Sequence, residues 1–306
     1  MATLSYVSTF LPRIIELYGH ELCSTDLFNS NPGIQVRNTK DIRIPKITVG
    51  GYKDHTRGSL GFNAGTYSNE WETKSLDHDR DVEFAVDPMD VDETNTVVSI
   101  ANIQANFDRT QAIPELDCYT FSKIYTEAKR VTSVIDNTAV TKANILSLLD
   151  ADMEAMEEAG VPLERCILYA TPTVNTALKN AEGIQRYLEA KGGANIDRRV
   201  HSIDDIKKIV VVPKDRMKTA YVFTSGCVAD GSAKQINYIL IDPECQVSRV
   251  KYSYINVFTP GHDSRTSDNY LYQNRRFNGT FGIDVLMKQG CRINAENEDE
   301  PDLEEG

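Results

Sequence analysis

Hydrophobic and polar positions repeat with different periods along the chain, and each change of period marks an element. From Thr9 to Leu22, residues Leu11, Ile14, Ile15, Tyr18 and Leu22 share one helical face, with Thr9 as a cap and Pro12 in the first turn, so a short amphipathic helix is expected. Asp92–Arg109 (Val97, Ile100, Ala101, Ile103) and Pro114–Val131 (Leu116, Tyr119, Ile124, Ala128, Val131) predict two further helices, the second opening on its proline. Thr141–Ala159 carries the strongest helical signal. Its Ile145, Leu148, Leu149, Met153 and Met156 form a stripe opposite Asp150, Glu154, Glu157 and Glu158, and Gly160 and Pro162 end it. Apolar runs at 166–170, 209–212, 221–223 and 238–241 read as strands, interleaved with helices over Thr173–Asn180 and Ile203–Lys208, the latter opened by Ser202 with Asp205 as a capping box. The chain then turns to period two, first in VSRVKYSYINVF and then in DNYLYQNRRFNGTFGIDVLMKQGCRI. In the second run Phe277, Gly279, Phe281, Ile283 and Val285 alternate with polar or small residues.

One segment, from Asn29 to Asp87, shows little of either pattern. DIRIPKITV and EFAV are strand-like, but between Gly50 and Phe84 the only aliphatic side chains larger than alanine are Leu60, Leu76 and Val82, and glycine stands at 50, 51, 58, 61 and 65. Such a stretch cannot offset its own ordering entropy, about 1–2 kcal/mol per residue for the backbone, by burying apolar area. It takes a shape only by packing on something else. Its last part runs into SLDHDRDVEFAVDPMDVDET (Ser75–Thr94), with acids at nearly every other position.

Composition narrows the function classes. The 306-residue chain is 41% hydrophobic and 25% charged, which suits a folded globular protein, and its net charge of −12 disfavours affinity built on neutralising phosphates. Six cysteines lie far apart with no CxxC or CxxH pair, which points to buried thiols in a reducing compartment. No basic start followed by an apolar run marks a leader, and no window approaches a membrane span. NAENEDEPDLEEG reads as a disordered acidic tail.

Catalytic motifs are missing. Asp77, Asp79 and Asp81 imitate the opening of a calcium loop, but Val82 stands where glycine is needed and Pro88 where a bidentate glutamate should be. The five histidines (His20, His55, His78, His201, His262) form no metal-binding pair and sit in polar surroundings that predict solvated side chains. Ser225-Gly226 lacks the leading glycine of a nucleophile elbow, and no phosphate-binding loop is present. No catalytic, cofactor-binding or metal-ligating residue is therefore assigned, and no cofactor is expected.

The run WETKSLDHDRDVEFAVDPMDVDET, continued by NIQANFDRTQAIPELDCYTFSKIYTEA, resembles the major capsid proteins of tailed bacteriophages. The order of segments is similar too, with ILYATPTVNTALK at Ile167–Lys179 and a closing β segment YLYQNRRFNGTFGI, so the likeness spans about Arg43 to Ile293. It implies an α+β, Hong Kong 97-like capsid fold: an N-terminal arm (1–41), an extended E-loop hairpin (42–86), a P-domain with a long spine helix (87–140), an α/β A-domain (141–255), returning P-domain strands (256–295) and the tail (296–306). Which of the two helices between Asp92 and Val131 is the spine stays open. The resemblance further implies a non-enzymatic head subunit that assembles with itself into pentamers and hexamers around double-stranded DNA. It would work with a separate scaffolding protein, a portal and possible decoration proteins, and end in the virion after assembly in the host cytoplasm. Covalent cross-linking does not transfer, because no Lys/Asn/Glu set matches; Lys53 is merely a lysine in the loop. In this reading the acids of Ser75–Thr94 form a solvated returning limb, some pairing with a neighbouring copy, and deletion of Gly50–Asp77 leaves a folded subunit unable to assemble. Three other readings are an encapsulin-type compartment, an acidic α/β hydrolase and a tail or adhesion component.

Overall fold

The computed structural model describes residues 21–28, 30, 41–55, 62–93, 100–131, 134–181, 189–191, 195–197, 203, 205–261 and 268–297. Its strands are β1 Asp41–Val49, β2 Tyr67–Ser75, β3 His78–Val86, β4 Ile135–Asp136, β5 Ile167–Ala170, β6 Glu189–Lys191, β7 Asn195–Asp197, β8 Lys208–Val211, β9 Tyr221–Val222, β10 Val228–Ala229, β11 Ile236–Ile241, β12 Gln246–Phe258, β13 Tyr270–Gly282 and β14 Cys291–Ala295. Its α-helices are α1 Pro88–Glu93, α2 Ile100–Phe107, α3 Ile113–Lys129, α4 Ile145–Glu158, α5 Pro172–Asn180 and α6 Asp284–Gly290. The helix expected over Thr9–Leu22 lies outside the described residues except at Glu21 and Leu22, which are not helical.

The two helices expected on either side of residue 110 are one. A π-helical turn, Asp108–Ala112, joins α2 to α3 with helical dihedrals at both junctions, giving a continuous rod from Ile100 to Lys129, about 45 Å long at 1.5 Å per residue. Pro114 explains the turn. It has no N–H to donate, and in a regular α-helix its ring would press on the carbonyl four residues back; one wider turn relieves both problems without ending the helix.

The sheet of order β4-β14-β11-β5-β8 is covered on both faces, which is why its strands read as unbroken apolar runs. The strand period sorts the side chains. Ile239 and Ile241 of β11 and Ile167 and Tyr169 of β5 pack with Phe121, Ile124 and Ala128 of the rod, whereas Tyr238, Leu240, Leu168 and Ala170 pack with Leu149 and Met156 of α4 and Val174 and Leu178 of α5. Only β4–β14 and β5–β8 are parallel. A second sheet, β12-β13-β3, is antiparallel throughout and lies against the other end of the rod.

Two sequence expectations fail here. Ile203–Lys208 is not a helix: its described residues form a bend and a turn, Lys207 N–H donates to the Cys166 carbonyl at 3.1 Å, and Lys208 already belongs to β8. Entry into a strand parallel to β5 outweighs a local capping preference. The alternation through Val285 also ends early, at Gly282, because α6 begins at Asp284 and leaves Val285 exposed.

Inside the five-stranded sheet, Tyr238 Oη donates to Asp152 Oδ2 at 2.7 Å, and burial pushes the Asp152 carboxyl up to about 6. A raised carboxyl favours folding below its unfolded value near 4 and loses that contribution as pH climbs through about 6. Asp152→Asn keeps an acceptor for Tyr238 and removes the buried charge. It should therefore stabilise the fold by about 1–2 kcal/mol at pH 7 and by almost nothing at pH 4, as read from urea midpoints at the two pH values.

Candidate assembly surface

The glycine-laden segment forms a projecting hairpin. β1 pairs with β2 in strict register from Asp41↔Ser75 to Val49↔Tyr67, Gly50 N–H closes the last rung on Thr66 O at 2.7 Å, and among the described strands the two pair with no third. Directly opposed residues lie on one face, so the register sorts the hairpin by polarity. Ile47, Val49, Tyr67 and Trp71 share a face and are 67, 72, 83 and 60% exposed; Lys46, Thr48, Ser68 and Glu70 occupy the other. Beyond the last rung Tyr52 and Phe62 are fully exposed, and the tip is held by Lys53 Nζ donating to Ala64 O (3.1 Å) and Asn63 Nδ2 to Asp54 O (2.8 Å). Lys53 thus serves the tip's own conformation. Among the described residues this apolar face has no third strand beneath it, which makes it the candidate contact surface.

The root is rigid. Leu76 is fully buried beneath Gly279, where an added Cβ would come within 2.3 Å of Leu76 Cδ2, so only glycine lets the strand pass over it. Beside it the buried Lys74 Nζ lies 2.7 Å from Glu72, 2.9 Å from Glu127 and 3.1 Å from Asp284, and Arg130 closes the group on Asp284 and Glu127. Burial alone would lower the Lys74 ammonium, but the hydrogen bonds it donates to Glu72, Glu127 and Asp284 carry it above the ordinary lysine value. Deleting Gly50–Asp77 would therefore remove Leu76 from the core and take the buried Lys74 ammonium away from Glu127, so that the clean deletion expected from sequence has to be narrower.

Of the acids of Ser75–Thr94, Asp77, Asp79, Asp81, Glu83 and Asp87 are exposed, as a solvated limb requires, but two of them are paired within their own chain. Asp77 accepts from Tyr119 Oη and from Lys123 Nζ at 2.5 Å, and Asp79 takes both nitrogens of Arg275, at 3.0 and 2.6 Å, all within one chain. Burial opposes ionisation of Asp77, yet those two donors hold it below the usual carboxylate range; for Asp79 the Arg275 bonds do so directly. His78 also departs from expectation. It is buried, stacked on Tyr119 at 4.1 Å with the edge of Phe223 at 5.0 Å, and its Nε2 lies 3.4 Å from Glu115. Strand alternation turns it inward between two outward aspartates, a signal that was legible had β3 been extended back to residue 78. His55 is exposed, and His20, His201 and His262 lie outside the described residues.

Between the rod and the β12-β13-β3 sheet lies a cleft of about 610 Å³ whose walls include Val82, Phe84, Phe107, Leu116 and Val250, with Asn278 at its floor. Two of its charged groups are committed to each other: Glu115 accepts from Arg80 Nε at 2.7 Å, and Arg80 Nη2 also reaches Gly226 O at 3.5 Å. Burial raises the Glu115 carboxyl, but its hydrogen bonds with His78 and Arg80 lower it and prevail. The described residues contain no cluster of His, Cys, Asp and Glu able to hold a metal ion, and none of their helices is long and apolar enough to cross a membrane.

No protein-family model and no curated protein matches the sequence. Solved structures do match. A chain from Mycobacterium phage Che8 superposes with a TM-score of 0.66 over 98% of this chain and all of that one, at 10% identity. A chain from the mature capsid of bacteriophage PhiM1 gives 0.68 over 97% of this chain and 93% of that one, at 12% identity. The capsid structure of Cyanophage P-SCSP1u gives 0.64 over 95% and 93%, also at 12% identity. The fold is that of a phage capsid protein. A capsid fold at this level of identity is carried by the order of elements and not by shared side chains, which accounts for the absence of a family-model match.

Proposed function

We propose that the chain is the major capsid subunit of a tailed phage, assembling with itself into an icosahedral shell around double-stranded DNA, with no catalytic role. The observation that carries this reading is the projecting hairpin with one apolar face. Four large side chains held out of their own subunit, each contributing about 1.5–3 kcal/mol if fully buried, supply a cohesive term that is repeated at every copy. A contact between two different patches is heterologous, and heterologous contacts that close make rings. The capsid fold supports a division into an N-terminal arm, an extended loop, a P-domain with the Ile100–Lys129 rod as spine, and an A-domain built on the five-stranded sheet. In this division the loop ends at Ser75 and not at Val86, since β3 pairs with β13. The net charge of −12 suits a container that must not bind its DNA tightly. A scaffolding protein, a portal and decoration proteins are proposed partners, the virion is the proposed location, and assembly in the host cytoplasm goes with it.

Expression of the full chain with its scaffold should yield particles of tens of nanometres by negative-stain microscopy and size-exclusion chromatography. A small soluble oligomer under every assembly condition would refute the shell and leave the hydrolase reading standing.

A further inference from the structure

We propose that Cys118 and Cys227 form a redox-sensitive disulfide that fastens the β9–β10 loop to the long helical rod. The two residues are 109 positions apart, yet three observations bring them face to face. In the β9–β10 ladder Tyr221 opposes Ala229 and Val222 opposes Val228, so continuing the alternation puts Phe223 and Cys227 on the Tyr221 face. That face is turned to α3: the Phe223 ring lies 6.1 Å from Tyr119 and 6.1 Å from Tyr221. Cys118, the residue before Tyr119, points at the same place, with its Sγ 3.8 Å from Asp215 O, the carbonyl to which Tyr221 Oη also donates at 2.6 Å. The titration of Cys118 and Cys227 is linked in the same sense, loss of a first proton from the pair being favoured and loss of the second opposed.

The other cysteines are arranged differently. Cys245 meets the Met287 sulfur at 3.5 Å and, like Cys291 and Cys166, is shut in by apolar packing, which pushes the Cys291 and Cys166 thiols up to about 12. Cys227 is half-exposed and follows Gly226, whose φ of +71° marks a bend that can adjust to disulfide geometry. Arg80 already holds this loop through the Phe223 and Gly226 carbonyls, so a covalent bond would fix an arrangement the fold has made.

The oxidant is a small-molecule disulfide, R–S–S–R. The first proton of the pair is lost at Cys118, and transfer of the Cys227 proton to it gives a Cys227 thiolate at the more exposed sulfur, which attacks one sulfur of the reagent and expels RS⁻, leaving a mixed disulfide; Cys118, passing its proton to the expelled RS⁻, then attacks Cys227 Sγ and expels the second RS⁻. One protein S–S bond forms and one reagent S–S bond breaks. Two electrons pass to the reagent, and the two protons leave on two molecules of RSH. A chain folded under reducing conditions and later exposed to oxidising ones would gain a tether that no shell contact is required to form.

The experiment uses the soluble full-length chain treated with oxidised glutathione, alkylated without reduction and mapped by mass spectrometry. The expected product is a Cys118–Cys227 cross-linked peptide within one chain, with the other four thiols alkylated and the thermal midpoint raised by about 5 °C. Dithiothreitol should reverse the shift, and Cys227→Ser should fold normally and show none. Recovery of both cysteines alkylated, a glutathione adduct on Cys227 that never resolves, or a bridge between chains would overturn the proposal. Because the measurement needs no particles, its failure is separate from failure of the shell reading.

Discussion

Replacing residues 50–66 with an Asn-Gly turn should leave a normally folded subunit that makes no particles. Val49↔Tyr67 is the last pair of the ladder, so a two-residue type I′ turn can close it without altering the register. Everything that anchors the hairpin lies below the cut: the Lys74 group, and Leu76 under Gly279. Tyr52 and Phe62, at the removed tip, are fully exposed aromatic surface. The thermal midpoint of the trimmed monomer is expected within about 2 °C of the parent. Particle yield by size-exclusion chromatography and microscopy should fall below detection. Trp71→Glu tests the apolar face itself, with the ladder intact: burying an unpaired carboxylate at each copy should cost several kcal/mol per contact and raise the concentration needed for assembly at least about tenfold. If the trimmed chain assembles like its parent, the hairpin is not the cohesive element.

Asp117→Ala should be the most damaging single substitution to stability, at about 3–5 kcal/mol. Asp117 lies on the inner face of α3 with no exposure, and its carboxylate accepts from Arg216 Nη1 at 2.8 Å, from Ser24 N–H and Oγ at 3.0 and 2.7 Å, and from Cys23 N–H at 3.1 Å. Removing it leaves the guanidinium of Arg216 buried against little more than the Glu21 carbonyl at 3.1 Å, and frees two backbone N–H groups of residues 23–24. Leu27, buried in the core, and Gln246 Nε2, which donates to Leu27 O at 2.6 Å, hang on the same segment. Urea midpoints should fall accordingly, and limited proteolysis should cut near residues 21–28 in the variant before any other site. Asp117→Asn, which keeps an acceptor oxygen but not the charge, should lose distinctly less. Equal losses for the two would show that the charge of the ion pair, and not hydrogen-bond acceptance by itself, is the source.

Some of these features could be read before any fold was known. The stripe Ile145, Leu148, Leu149, Met153 and Met156 is α4, and all of it but the half-buried Leu148 is buried. CILYA and YILI are strands covered on both faces, as uninterrupted apolar runs imply. The arm from Ile42 onward could be seen to lack a core of its own. Other features were hidden because their causes are non-local. The join at Asp108–Ala112 is invisible to periodicity, since one extra residue in a turn shifts the phase and mimics a break. Lys74 looked like one charge among many, yet its partners stand 53 and 210 positions away. The polarity of the hairpin was obscured too, because β2 alternates only when Tyr67, Asn69 and Trp71 are set against Val49, Ile47 and Pro45.

By itself the sequence determined which segments can bury a face and which cannot, since period and side-chain volume are properties of neighbours along the chain. It thereby marked out the strands and helices that can build a core and an arm that must find its packing elsewhere. Tertiary structure alone decided which charges are paired, which histidine is buried and which cysteines meet. Those outcomes depend on distances between residues tens to hundreds of positions apart, and the free energy of a charge or thiol is set by what surrounds it and not by what precedes it.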